Sequence, residues 1–181
     1  QPGPLMPVKR LALNLGAPGD RRDASGGLWL GYPRPGGSLV LPLQLGLTLF
    51  PGGDYFRHDP ARWKIEDAEK PWLFCSGVRG LRRCTIPLAG PDDGTALYTE
   101  LEHGAAAQRV FDIRLQGRTV AKGLDIFQQA GGRNRPLIKE FSGIDAGEEL
   151  ALEFVPAAAS PAAGQLPVLQ GIEVVREKVL T

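Results

Sequence analysis

Residues 108–127, QRVFDIRLQGRTVAKGLDIF, constrain the fold of this chain more than any other stretch. Phe111, Ile113 and Leu115 alternate strictly with Asp112, Arg114 and Gln116. A period of two is the signature of a strand with one face on a core and the other in water. Gln116 and Gly117 then supply a tight turn, because glycine accepts positive φ at no steric cost. Thr119 and Val120 begin a return strand, and Leu124, Ile126 and Phe127 add a second apolar group after Gly123. A β-hairpin with Phe111, Ile113 and Leu115 inward is the expectation.

The rest of the chain repeats this theme. Short β-like runs follow one another at hairpin spacing, and 24 glycines with 16 prolines punctuate them. Runs are expected at residues 8–14, 27–32, 38–48, 71–75, 84–88, 96–103, 137–141, 150–155 and 168–176, with no helix longer than two turns. Residues 1–7 read as an extended lead-in and 8–181 as one domain. The expected fold class is all-β: a two-sheet antiparallel sandwich of jelly-roll type with about ten strands. The chain begins at Gln1, without an initiator methionine, and reads as a piece excised from something longer.

Composition excludes several functions. A formal net charge of +1 lacks the basic excess of a dedicated nucleic-acid binder. No run of about 18 apolar residues exists to insert into a membrane. With two histidines, His58 and His103, and no GxSxG or HExxH, hydrolase triads and zincin chemistry have no footing. Acid pairs such as Asp92 with Asp93 and Glu148 with Glu149, like Asp112, sit in turns or on a solvent-facing strand edge, where solubility explains them. An enzyme is therefore not expected.

Cys75 and Cys84 flank SGVRGLRR, and each adjoins a β-like run. Antiparallel pairing of those runs would bring the thiols face to face across one loop. The expectation is a Cys75–Cys84 disulfide, stabilising by ~2–3 kcal/mol, in a protein acting outside the cytosol, secreted or periplasmic. Asp20 and Asp23, in the loop at 16–27, are weak candidates for calcium, since carboxylates with backbone carbonyls suit that ion. No other cofactor is expected.

The words of the central hairpin, VFDIRLQG followed by LDIF, resemble the heart of malectin and malectin-like domains. The resemblance extends to LIKEFSGID, LALEFVP and GIEVV on one side, and to LALNLG and GLWL on the other. It implies a jelly-roll sandwich, found in secreted bacterial proteins as one module of a long chain, whose best-known member binds a glucose disaccharide through loop aromatics. The chain departs from the family's site. Gly104, Ala105 and Ala106 stand where malectin has an aromatic pair, and residues 160–167 carry no acid. Trp29 matches the aromatic after the first Gly-rich loop.

Two functions follow. One is a non-catalytic module that binds an oligo- or polysaccharide through Trp29, Tyr32, Tyr55, His58 and Trp63, the last three from the ring-dense stretch at 50–63. The other is a structural sandwich that packs against neighbouring domains of its own chain, those rings forming a satellite core.

Overall fold

A computed structural model describes residues 10–34, 44–88, 109–144 and 149–175, and residues 93–99 as backbone. The lead-in at 1–7, part of the run at 38–48, Asp92, His103, Gly104, Ala105, Ala106 and Glu148 lie outside the described residues. Twelve strands are described: β1 (Arg10–Leu15), β2 (Arg21–Arg22), β3 (Leu28–Tyr32), β4 (Gly46–Arg57), β5 (Ser76–Pro87), β6 (Asp93–Thr99), β7 (Val110–Leu115), β8 (Arg118–Asp125), β9 (Pro136–Phe141), β10 (Glu149–Pro156), β11 (Val168–Leu169) and β12 (Gly171–Val175). One short helix, α1 (Ile126–Ala130), follows β8, and single 3₁₀ turns occupy Pro71–Cys75 and Ala163–Gln165. The strands form two sheets. The first runs β2-β3-β1-β12-β6-β9; the second runs β11-β5-β10-β7-β8, with β4 along the other side of β5.

The hairpin of β7 and β8 behaves as its sequence requires. Phe111, Ile113 and Leu115 are buried, while Arg114 is exposed and Asp112 half-exposed. Gln116 and Gly117 both take positive φ, the two-residue turn that matches strand twist. On β10, Phe154 stands opposite Ile113 and Leu152 opposite Leu115. Phe111 and Phe154 meet edge-on at 5.8 Å, an arrangement that rewards aromatic pairs beyond their buried area. Leu13, Leu15, Val78, Leu81, Ile86, Ile172 and Val174 complete this inter-sheet core. Each fully buried side chain of this kind contributes about 1.5–3 kcal/mol. The LDIF segment does not stay extended: the Asp125 carboxylate caps Gln128 N–H at 3.1 Å, and Gly131 closes α1 in the left-handed conformation.

Three departures from the sequence expectation stand out, and the first two share a cause, the dual use of glycine. First, β5 is one continuous strand through SGVRGLRR, where a loop was expected. A Cβ on Gly77 would lie 2.6 Å from the Leu169 carbonyl oxygen, so this glycine permits close approach rather than a turn. Second, β4 extends to Arg57 through the expected loop, and residues 50–53 bulge opposite Gly80. Third, β1 and β3 pair in parallel, which the connecting residues 16–27 are long enough to allow.

The expected last strand at 168–176 is two strands. β11 belongs to the second sheet and β12 to the first; the chain crosses between sheets at Gln170, which is fully buried.

The disulfide expectation is corrected. Cys75 and Cys84 are free and buried. Cys75 ends the 3₁₀ turn, and Cys84 lies far along β5 in the inter-sheet core, opposite Leu152 and Leu47. An extended strand advances about 3.3 Å per residue, which separates the pair well beyond the ~4.4–6.8 Å Cα distance a disulfide spans. Burial pushes the Cys84 thiol up to about 12 and raises Cys75, aided there by Asp59.

Candidate functional site

Residues 58–75 leave the second sheet and fold over the outer face of the first. On that face Ala12 and Trp29, which alternate with inward-facing Leu13 and Leu30, are covered by Ile65, Leu73, Phe74 and Cys75. This satellite core decides the fate of the expected site residues. Trp29 is 1% exposed. Its indole N–H donates to Asp23 Oδ2 at 3.1 Å, and its ring meets Trp72 edge-on at 6.1 Å. Trp63 is half-buried against the same cluster. Tyr32 and Tyr55 pack on the other core, between the sheets. Tyr32 accepts from Leu45 N–H at 3.4 Å. Burial, followed by Tyr32, Cys84 and Asp54, pushes the Tyr55 phenol up to about 12. Four of the five expected residues are thus divided between two cores.

Of the five, His58 lines the cleft beside this cover, while Trp29, 1% exposed, only touches a second groove described below. A cavity of about 430 Å³ opens between residues 17–21, His58, Pro60 and Trp72, with Asn14, Arg57, Cys75 and Ser76 at its base. Its shape follows from Gly16, where φ is +72° and a Cβ would sit 2.9 Å from the Gly77 and Phe56 carbonyl oxygens. The Gly16 carbonyl accepts from Arg57 Nε at 2.9 Å and Nη2 at 2.7 Å, tying β4 to the turn after β1. Buried Asn14 accepts from the Ser76 hydroxyl at 3.2 Å.

Across the cleft the Arg21 guanidinium lies 4.9 Å from the centre of the Trp72 ring, a cation–π contact. The backbone N–H of His58 donates to the Cys75 carbonyl at 2.7 Å, and its imidazole packs against the Trp63 ring, tilted, with 4.3 Å between ring centres. Nε2 of His58 is buried and meets no hydrogen-bond partner. Burial, then the Arg79 charge, holds this imidazole below its ordinary value.

The two loop acids are engaged by protein donors. Asp20 accepts from Gly31 N–H at 3.0 Å and from Arg34. Burial raises its pKa, but these bonds and the Arg34 charge outweigh that and leave it lowered. Asp23 accepts from the Ser25 hydroxyl and N–H, Gly27 N–H and Trp29, and the Ser25 and Trp29 bonds hold it far below the usual carboxylate range. Both serve as loop organisers. Among the described residues no group of three or more His, Cys, Asp or Glu stands ready for a metal ion.

Sequence reasoning missed Trp72, Arg21, Arg57 and Asn14. Trp72 was read as part of a strand; a proline directly before it, as at a helix start, was the available signal. A second groove, also about 430 Å³, lies at the other end of the 58–75 cover, between Lys70, Glu69 and the β9 residues Ile138 and Glu140. Ile138 is 52% exposed there.

A family description, Malectin domain, matches residues 97–150. That span runs from within β6 to the start of β10 and lies apart from the cleft. Comparison with curated proteins finds no match. Among solved structures, a Bacteroides uniformis beta-glucuronidase aligns with a TM-score of 0.68 at 18% identity, covering 93% of this chain and 18% of that one. The extracellular domains of ANXUR2 and ANXUR1 from Arabidopsis thaliana align with TM-scores of 0.68 and 0.67, both at 18% identity, covering 91% of this chain and 47% of theirs. The chain therefore spans less than half the length of these structures. The fold is a two-sheet β-sandwich shared with these structures, and its central stretch carries the Malectin domain match.

Proposed function

We propose that this malectin-like domain is a non-catalytic glycan-binding module whose site is the cleft around Trp72. The observation that carries the reading is the make-up of that cleft. Trp72, Pro18, Pro60 and Ala17 give it apolar walls for the C–H faces of a sugar ring. Asn14, Ser76, Arg21, Arg57 and His58 surround them with hydroxyl-binding groups. Such a site needs no nucleophile or paired acid, and binding alone is its task. Affinity should be weak, because few contacts remain in surplus after association costs; Kd between micromolar and millimolar corresponds to about −8 to −4 kcal/mol. With two free cysteines, the extracytoplasmic address rests on the malectin likeness alone.

A second reading, a packing module within a longer protein, is favoured by exposed Ile138 and the groove beside it. An array of neutral and acidic glycans, probed with the wild-type domain and with Trp72→Ala, separates the two. Glycan binding lost in Trp72→Ala at near-unchanged melting temperature supports the cleft. A wild-type domain that binds nothing on the array refutes it and leaves the packing role.

A further inference from the structure

We infer that the cleft selects anionic sugars, seating the oxyanion of a uronate or a sulfate ester against Arg57 and Arg21; this rests on the glycan-binding reading. Arg57 is the anchor. Two of its donors, on Nε and Nη2, are spent on the Gly16 carbonyl, which fixes the plane of the guanidinium. The edge formed by Nη1 and the second Nη2 hydrogen remains, a fork whose spacing fits the two oxygens of a carboxylate. No carboxylate among the described residues answers it.

Arg21 is held differently, flat against Trp72 by the cation–π contact. None of its N–H donors meets a protein acceptor among the described residues. A guanidinium stacked on an aromatic ring has already lost conformational freedom, so less is lost per hydrogen bond when a ligand arrives.

The charge balance of the lining points the same way. Its one carboxylate is Asp20, and Arg34 with Gly31 N–H already engages that group. The walls therefore present two positive charges, those of Arg21 and Arg57, to any ligand. A neutral sugar would leave both guanidinium groups facing hydroxyls; an acidic one would pair them. Because the oxyanion stays next to the Trp72 and Pro18 walls, the ring that bears it lies against apolar surface. That combination is the chemistry of an acidic saccharide rather than a free inorganic anion.

Calorimetric titration of the intact 181-residue chain tests this with four probes: a trigalacturonate, its methyl ester, a sulfated disaccharide without carboxylate, and a neutral cellotriose. The expected result is that trigalacturonate or the sulfated sugar binds at least ~10-fold tighter than the ester and cellotriose, with the margin shrinking as salt screens the charges. Whichever acidic probe is preferred names the oxyanion. Arg21→Gln, at an exposed position, should weaken the preferred acidic probe by a much larger factor than cellotriose and so remove the margin between them. Arg57→Gln should do the same, and Arg21→Gln keeps the test decisive if loss of the Gly16 contacts unfolds it. Equal binding of acidic and neutral probes overturns the charge selection while the glycan cleft stands. Absence of binding by all four overturns both.

Discussion

Trp29→Ala separates a structural ring from a binding ring. The side chain is 1% exposed and sits between Ala12, Leu73 and Phe74 on the outer face of the first sheet. Removing it leaves a cavity that residues 58–75 can fill only by moving. Substitutions of this kind cost about 3–5 kcal/mol, transfer and cavity terms together. In a domain of this size each kcal/mol lowers Tm by roughly 2–4 °C, so a fall on the order of 10 °C is expected. The Asp23 loop also loses its indole donor. Trp29→Phe keeps most of the apolar volume and should cost distinctly less. Urea titration and calorimetry of both variants, beside Phe111→Ala as a known core position with the same ~3–5 kcal/mol loss, supply the measurement. If Trp29→Ala melted with the wild type while losing glycan binding, the ring would be a platform and the satellite-core account would be refuted.

Thiol titration without reductant should find two titratable cysteines after denaturation and almost none before it, since Cys75 and Cys84 are both buried and free; reductant should leave Tm unchanged, and a single disulfide-linked species would contradict this. Stability should fall on acidification below about pH 6.5: the folded state disfavours protonation of His58, so the unfolded chain binds more protons between His58's ordinary pKa and its lowered folded value. His58→Gln should flatten that part of the profile in a urea series, and an unchanged slope would argue that the imidazole is freely hydrated. Gly77→Ala should cost at least ~2 kcal/mol by overpacking against the Leu169 carbonyl and the Phe56 ring. Gly19→Ala, where a Cβ meets nothing within 4 Å, should stay within about 0.5 kcal/mol; equal effects in the two variants would refute the close-approach argument.

What the sequence revealed, it revealed through period. Phe111, Ile113 and Leu115 alternate, and alternation has one physical meaning in a sandwich, so the central hairpin and its facing were legible. The malectin wording supplied the sheet architecture for the same stretch. What stayed hidden depends on contacts between distant residues. Gly77 and Gly80 look like loop punctuation, yet they allow strands to approach; only the partner backbone distinguishes the two uses. That misreading took residues 76–83 for a loop between strands at 71–75 and 84–88, and so set Cys75 opposite Cys84. Gln170 gives no local sign that the chain changes sheets there. The ring-dense stretch at 50–63 was legible as unusual. Its division between two cores was not, because ring direction depends on which sheet face each residue leaves. Trp72, Arg21, Arg57 and Asn14 come from four separate stretches and become a site only when the 58–75 cover folds back over β1.

The most direct test of the central claim uses the chain's three tryptophans as internal reporters. Their indole N–H signals, assigned by single Trp→Phe replacements, are followed by NMR during titration with the best-binding glycan from the array. The cleft account predicts that the Trp72 signal shifts progressively with ligand, with the side-chain signals of Arg21 and Arg57, while the buried Trp29 signal stays in place. Movement of Trp29 or Trp63 with Trp72 unaffected would contradict it.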